Sequence, residues 1–169
     1  MKNTFSIGDY IIDFENIYQI YDQKIQKDYQ KHDRQYFFYK VIDNNSHRLD
    51  SVTCSVPIEN IVKNGLRHLM TTTEIEEFYK DFKRVEPANV VFDPKTVKEI
   101  LYQNDSIKTL SILRLLHLNK IETGDSFTKS NRELYESIIE HLVREISFVT
   151  KTPAKTVQNK ITSLLKAAA

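Results

Sequence analysis

The spacing of apolar residues changes once along the chain, near Gly65. From Phe5 to Pro57 the apolar residues are rich in Ile, Val, Tyr and Phe and come in short runs, which is the pattern of β-strands. After Gly65 they recur every three or four residues, which is the spacing of one face of an α-helix. The pattern therefore predicts an α+β chain in two parts, a sheet followed by helices.

Four strands are predicted in the first part. They lie at residues 10–14, 17–21, 36–42 and 50–56. Residues 43–46 form a turn cluster, so the last two strands are expected to make a hairpin. Residues 23–35 are polar and are predicted to form the long tip of another hairpin. Several short strands in such a short segment are typical of a small, bent β-barrel of the Tudor or SH3 kind.

Helix-start signals divide the second part. Thr73 and Glu76 have the spacing of a capping box and are expected to open a helix that runs to about Lys83. Four further N-cap signals lie at Asp93, Asp105, Thr128 and Thr152. The residues at core spacing on these helices are Val97, Ile100, Leu101, Ile107, Leu110, Leu113, Leu116 or His117, Leu134, Ile138, Leu142, Ile146, Val157, Ile161 and Leu165. The second part is therefore predicted to be a small all-α bundle.

Composition and charge place the chain in a broad class. It has 169 residues, of which 40% are hydrophobic and 28% charged, as in soluble globular proteins. Residues 1–83 carry 11 Lys+Arg and 13 Asp+Glu, a balance of −2, whereas residues 84–169 carry 13 and 10, a balance of +3. This asymmetry permits nucleic-acid contact by the second part without requiring it.

The sequence pattern predicts neither a membrane-spanning helix nor a signal peptide. No apolar run approaches the ~20 residues that a membrane-spanning helix needs. The acid at Asp9 comes too early for a signal peptide. We therefore expect a cytoplasmic protein without membrane contact.

The residue types that carry catalysis or bind metals are not arranged for either. Cys54 is the only cysteine, which excludes an internal disulfide and a Cys-based zinc cluster, and it is expected to be a packed thiol. The five histidines show no ligand spacing, and the adjacent Glu140 and His141 diverge by about 100° on a helix. The chain also lacks a Gly-rich phosphate loop and a nucleophile elbow. We expect no enzyme activity, no metal and no cofactor.

Three short motifs resemble the CarD/CdnL family of bacterial transcription regulators. Phe5-Ser-Ile-Gly-Asp-Tyr-Ile-Ile matches the family's opening Phe-x-x-Gly-Asp-x-Val-Val, Val56-Pro-Ile-Glu-Asn60 matches its Val-Pro-x-Glu-Asn, and Gly65-Leu-Arg67 matches its Gly-x-Arg. Lys95-Thr-Val-Lys-Glu-Ile-Leu is similar to the start of the family's helical half. The resemblance covers about residues 5–166. It implies a Tudor-like domain at residues 1–66 that interacts with RNA polymerase and a helical, DNA-facing domain at residues 67–169.

The resemblance implies regulation without catalysis. The family's first module binds the β-subunit lobe of RNA polymerase, partly by edge-strand pairing. Its helical domain rests on promoter DNA, where a Trp wedges into the minor groove and basic residues hold phosphates, so that the lifetime of the open complex changes. The polymerase-binding residues implied for this chain are Gln23, Ile25, Thr53, Ser55 and Pro57. The DNA-binding residues implied are Val90, Phe92, Lys95, Lys98, Lys129 and Arg132.

The chain departs from the family where contacts are made. It has no Trp, and Val90 stands at the wedge position, where it buries far less surface than an indole unless Phe92 substitutes. Phe92 and Asp93 replace basic residues, Lys95 keeps its charge, and Ser55 stands where the family often has Arg. We expect a monomeric regulator with weakened or relocated DNA contact. The alternative is a protein-interaction or DNA-binding module of the same fold that does not act through RNA polymerase.

Overall fold

The chain folds into a sheet unit followed by a helical unit. The computed structural model describes residues 4–42, 53–82, 84–88 and 94–168. The two compact units are Met1–Leu69 and Met70–Ala169. The first is an antiparallel sheet that curls into a half-barrel, and the second is helical. The α+β class predicted from the sequence is therefore confirmed.

Five strands build the sheet, in the order β4-β3-β2-β1-β5. They are β1 (Tyr10–Ile12), β2 (Ile17–Lys27), β3 (Asp33–Val41), β4 (Thr53–Pro57) and β5 (Arg67–His68). All four neighbouring pairs are antiparallel. The sequence did not predict β5, which pairs with β1 through Ile11 and Ile12 and so belongs to the sheet unit.

The hairpin of β2 and β3 is longer than its apolar pattern indicates. Residues 23–35 were expected to form the long tip of a hairpin, but most of them belong to the strands, because pairing continues from Gln23 with Phe37 to Lys27 with Asp33. The backbone ladder needs no apolar side chains once the strands have left the core, so the polar run does not end it. A bulge between Ile20 and Asp22 bends the pair where it leaves the core.

The core of the sheet unit lies on the concave side of the curl. Ile11, Ile20, Phe37 and Val56 are each at most 2% exposed and belong to one cluster. The first three come from the three central strands, and Val56 comes from β4. Burial of the face that carries this cluster therefore fixes the register of the sheet.

Five α-helices are found in the described part of the second unit. They are α1 (Thr72–Asp81), α2 (Pro94–Tyr102), α3 (Ser106–Thr123), α4 (Lys129–Thr150) and α5 (Ala154–Ala168). The N-caps predicted at Asp105 and Thr128 are confirmed, since both side chains accept backbone N–H groups of the first turn. Asp93 lies outside the described residues. α3 packs against α2 and α4, and α4 also packs against α1 and α5.

The helix cores follow the sequence pattern closely. The predicted core residues that are buried are Val97, Leu101, Leu110, Leu113, Leu116, Leu134, Ile138, Leu142, Ile146, Val157, Ile161 and Leu165. Ile107 was predicted to be in the core and is 46% exposed, because it lies in the first turn of α3, before the stretch that packs. Within the described ranges, no helix has both the length and the apolar character needed to cross a bilayer.

Candidate functional site

β4 lies at one edge of the sheet and has β3 as its sheet neighbour. The pairs run from Lys40 opposite Thr53 to Tyr36 opposite Pro57. In an antiparallel pair, backbone N–H and C=O groups alternate between pointing toward the neighbour and pointing away from it. The outward groups of β4 therefore form a row to which a further strand can hydrogen-bond. This is the edge position expected for residues 52–56, of which Val52 lies outside the described residues.

The side chains of β4 divide between the two faces of the sheet. Thr53 and Ser55 are exposed, and Val56 is buried in the core. Pro57 shares the outer face with Thr53 and Ser55, because these three positions alternate with Val56. Having no N–H, Pro57 also ends the ladder, and a 3₁₀ turn at Ile58–Asn60 follows it. Cys54, expected to be a packed thiol, is half-buried.

Gln23 and Ile25 lie on the opposite face from the other predicted polymerase-binding residues. Gln23 is the partner of Phe37, a core residue, and Ile25 follows two positions later, so both project from the core-facing side of the hairpin. Ile25 is 65% exposed because the hairpin extends beyond the core there. It lies on β2, two strands from β4. A strand added beside β4 does not reach it, so contact with Ile25 requires a separate part of the partner.

The tip of this hairpin is ordered by one carboxylate. Oδ1 of Asp28 accepts hydrogen bonds from the backbone N–H groups of Gln30 at 2.8 Å and His32 at 2.9 Å. Oδ2 forms an ion pair with Nε of Arg34 at 2.8 Å, and Nη1 of Arg34 also contacts Glu59 at 3.0 Å. The hydrogen bond from His32, followed by that from Gln30 and the charge of Arg34, lowers the pKa of Asp28. Tyr29 is 91% exposed at this tip.

The predicted DNA-binding cations are exposed and occur in two pairs. Lys95 and Lys98 lie in the first turns of α2, and Lys129 and Arg132 in the first turn of α4. Members of a pair are three residues apart and so share one side of their helix. Nζ of Lys129 is 3.7 Å from a carboxylate oxygen of Glu133. Both helices pack on α3.

The other two predicted DNA-binding residues, Val90 and Phe92, lie outside the described residues. The structure therefore brings together each cation pair but leaves the predicted wedge position without a structural description. Cations near the positively polarised N-termini of helices attract phosphates, which is the chemistry expected of α2 and α4.

His117 packs between two helices of the bundle. Nδ1 of His117 on α3 is 3.1 Å from the hydroxyl of Tyr135 on α4, and their rings are stacked. Burial, followed by the charges of Lys120 and Lys166, lowers the pKa of His117, which favours the neutral imidazole. In the part of the chain that the structure describes, no group of three or more His, Cys, Asp or Glu side chains is placed to hold a metal ion.

Two features of the structure were not predicted from the sequence, namely the ordered hairpin tip and the lysines of α5. The ordered tip was missed because the ion pair that joins Arg34 to Glu59 spans 25 residues of sequence. Lysines on α5 were also omitted, although the charge pattern of that segment is visible in the sequence. Neither a protein-family model nor a curated protein matches the chain.

Proposed function

We propose that this protein is a transcription regulator of the CarD/CdnL type, whose Tudor-like sheet unit binds the β-subunit lobe of RNA polymerase by adding a partner strand to β4. The observation that carries the proposal is the position of β4 at the edge of the sheet, with Thr53 and Ser55 exposed. The curled five-stranded sheet is compatible with a Tudor or SH3-like barrel. The motifs shared with the family supply the identity of the partner.

In strand addition, the backbone and the side chains have different roles. Backbone hydrogen bonds to β4 provide affinity, and side chains on the two faces provide specificity. The outer face offers two hydroxyl groups, from Thr53 and Ser55, and the charge of Lys40 opposite Thr53. Because Ser55 replaces the family's Arg, the contact depends less on charge, and we expect its affinity to respond weakly to salt.

The helical unit contributes DNA contact in this proposal. Lys95, Lys98, Lys129 and Arg132 are exposed and lie at helix starts, where they support binding of promoter phosphates. Glu133 offsets part of the charge of Lys129, which supports the expectation of weak contact. The outcome is a change in the lifetime of the promoter open complex.

The test is binding of the purified protein to the isolated β-subunit lobe, with Ser55→Glu as the edge variant. A carboxylate beside the added strand must lose part of its water, which is unfavourable, and the charge of Lys40 on the same face offsets only part of that cost. We expect the Kd to rise at least about tenfold, equivalent to about 1.4 kcal/mol. Gln158→Glu, which adds the same charge at an exposed position of the helical unit, is the matched control. An unchanged Kd for Ser55→Glu would contradict strand addition.

Ile25→Asp extends the same experiment to the hairpin. Since Ile25 lies on the other face and two strands away, its substitution separates contact at the edge from contact along the hairpin. Weakening by both variants indicates that the lobe holds both surfaces. Weakening by Ser55→Glu alone restricts the interface to β4.

A second candidate function is favoured by the contact residues themselves. The chain contains no Trp, and Ser55 occupies the place of the family's Arg. A protein-interaction or DNA-binding module of the same fold, acting independently of RNA polymerase, requires neither residue. This candidate predicts no saturable binding to the lobe even at low salt, with a folded protein shown by circular dichroism.

A further inference from the structure

The last helix carries charge of one sign. α5 contains three lysines, at positions 155, 160 and 166, and no Asp or Glu. The neighbouring α4 mixes both signs, with Glu133, Glu136 and Glu140 beside its basic residues. Surface helices commonly mix charges because pairs of opposite sign at i and i+4 stabilise them. An acid-free helix gives up these pairs and keeps a positive surface.

The exposed face of α5 is a continuous polar stripe. Val157, Ile161 and Leu165 are at most 2% exposed and fix which side of the helix faces the bundle. At 100° per residue, the exposed residues on the opposite side include Lys155, Asn159, Ser163 and Lys166, which we call the α5 stripe. The two lysines are separated by eleven residues, which is about 16 Å along the helix axis.

The charges of the stripe are not neutralised by neighbouring acids. Among the described residues, no carboxylate lies within 4.0 Å of the ammonium groups of Lys155 and Lys166. This holds for the exposed carboxylates of α4 as well. The third lysine, Lys160, instead packs against α1, with Nζ 3.6 Å from the ring centre of Tyr79.

Lys120 on α3 and Lys166 on α5 both act on His117. Lys120 is exposed, and its Nζ lies 4.8 Å from the ring centre of Tyr135. After burial, the charges of Lys120 and Lys166 are the causes that lower the pKa of His117. Ammonium groups from two helices therefore lie close enough to His117 to disfavour the charged form of its imidazole.

The chemistry of the stripe favours a nucleic acid over other polyanionic partners. A membrane-binding helix needs exposed apolar residues to insert, but the apolar side of α5 is buried. Protein interfaces concentrate their energy in Trp, Tyr and Arg anchors, and the stripe has none. Lysines that contact phosphates, with an amide and a hydroxyl between them, are instead typical of DNA interfaces.

We propose that the α5 stripe binds double-stranded DNA, with Lys155 and Lys166 on backbone phosphates and Asn159 and Ser163 on groups in the groove. The major groove of B-form DNA is about 12 Å wide and admits an α-helix, whereas side chains cannot read the deep, narrow major groove of A-form RNA. This site is separate from the cations of α2 and α4, and it needs no polymerase. It therefore stands or falls independently of the function proposed above.

The test is fluorescence anisotropy of a labelled duplex of about 20 base pairs, titrated with the full chain at salt concentrations from about 50 to 200 mM. Each phosphate contact contributes about 0.9 to the slope of log K against log salt. We expect Lys155→Gln with Lys166→Gln to reduce the slope by about 1.8 and to raise the Kd about tenfold at the lowest salt. Asn159→Ala is expected to leave the slope unchanged and to alter the preference among sequences.

The control variant removes the same charge elsewhere. Lys27→Gln with Lys63→Gln changes two exposed lysines of the sheet unit and is expected to leave the slope unchanged. Lys95→Gln with Lys98→Gln measures the α2 contact separately, so failure of one DNA site is distinguished from failure of the other. The proposal is overturned if the α5 variant matches the unaltered protein, if the unaltered protein does not bind the duplex, or if duplex RNA or phosphatidylserine vesicles bind as tightly as DNA.

Discussion

At the scale of single residues, Asp28 orders the hairpin tip through two hydrogen bonds to Oδ1 and an ion pair between Oδ2 and Arg34. The turn that it supports places Lys31 at a φ of 63°, in the left-handed region. That conformation is unfavourable for a residue with a Cβ by roughly 1–2 kcal/mol, so the surrounding bonds must hold it. These bonds hold the backbone of the tip and so reduce the entropy that is lost if a partner binds it.

We predict that Asp28→Ala speeds hydrogen exchange at the backbone N–H groups of Gln30 and His32. The substitution removes the acceptor of both groups and the ion-pair partner of Arg34. Exchange measured by NMR near neutral pH checks this. Asp33→Ala, at an exposed neighbouring position, is the control and should leave both groups protected. Equal rates in the two variants would show that the carboxylate does not order the tip.

The pH dependence of the tip follows from the same group. The pKa of Asp28 is lower in the folded protein than the ordinary value of about 3.9, so folding favours its ionised form. This stabilisation is fully present above the unfolded-state pKa and is lost as pH falls through the folded-state pKa. Protection at Gln30 and His32 should therefore persist down to about pH 4 and decline below it.

At the scale of elements, α1 shows how a local motif can be read at the wrong register. Thr71, Thr72 and Thr73 are consecutive, and the sequence pattern favoured Thr73 with Glu76 as the capping box. In the structure, Thr71 is the N-cap: Oγ1 of Thr71 accepts the N–H of Glu74 at 3.2 Å, and the Glu74 carboxylate accepts the N–H of Thr71 at 2.7 Å. The prediction of Thr73 was therefore wrong by two residues.

We predict that Thr71→Ala lowers the free energy of unfolding of the helical unit by about 1 kcal/mol, because it removes one half of the capping box. Thr73→Ala, at an exposed position within the first turn, should change it by less than about 0.5 kcal/mol. Urea unfolding followed by far-UV circular dichroism distinguishes the two variants. A larger effect for Thr73→Ala than for Thr71→Ala would indicate that Thr73 is the N-cap, as the sequence pattern predicted.

At the scale of the whole molecule, a buried carboxylate joins two distant parts of the helical unit. Glu145 on α4 is 0% exposed, and its Oε1 accepts a hydrogen bond from the backbone N–H of Met70 at 2.8 Å. Met70 is the first residue of this unit, and the two residues are 75 apart in the sequence. The bond holds the start of the unit against its longest helix.

We predict that Glu145→Ala destabilises the protein by about 1–3 kcal/mol, since the buried N–H of Met70 loses its acceptor. Glu140→Ala, an exposed position on the same helix, is the matched control and should have little effect on stability. Chemical denaturation of both variants provides the comparison. If the two variants unfold at the same urea concentration, the bond does not contribute to stability.

Short-range sequence pattern alone determined many of the helix starts and buried helix faces of this protein. The change from strand to helix near Gly65, the N-caps at Asp105 and Thr128, and the buried stripe of α4 all follow from residues within a few positions of one another. The acid-free composition of α5 is equally local. Local propensity and amphipathic spacing act over one or two turns, which is the range that such patterns describe.

Only the tertiary structure decided which groups meet. It placed β4 at the sheet edge and paired Arg67 and His68 with β1. It separated Ser55 from Ile25 on opposite faces and brought Glu145 to Met70. Each of these arrangements joins residues distant in sequence, and each depends on how strands pair and helices pack around a shared core. Short-range spacing does not encode those contacts, so the candidate binding surfaces could be described only from the fold.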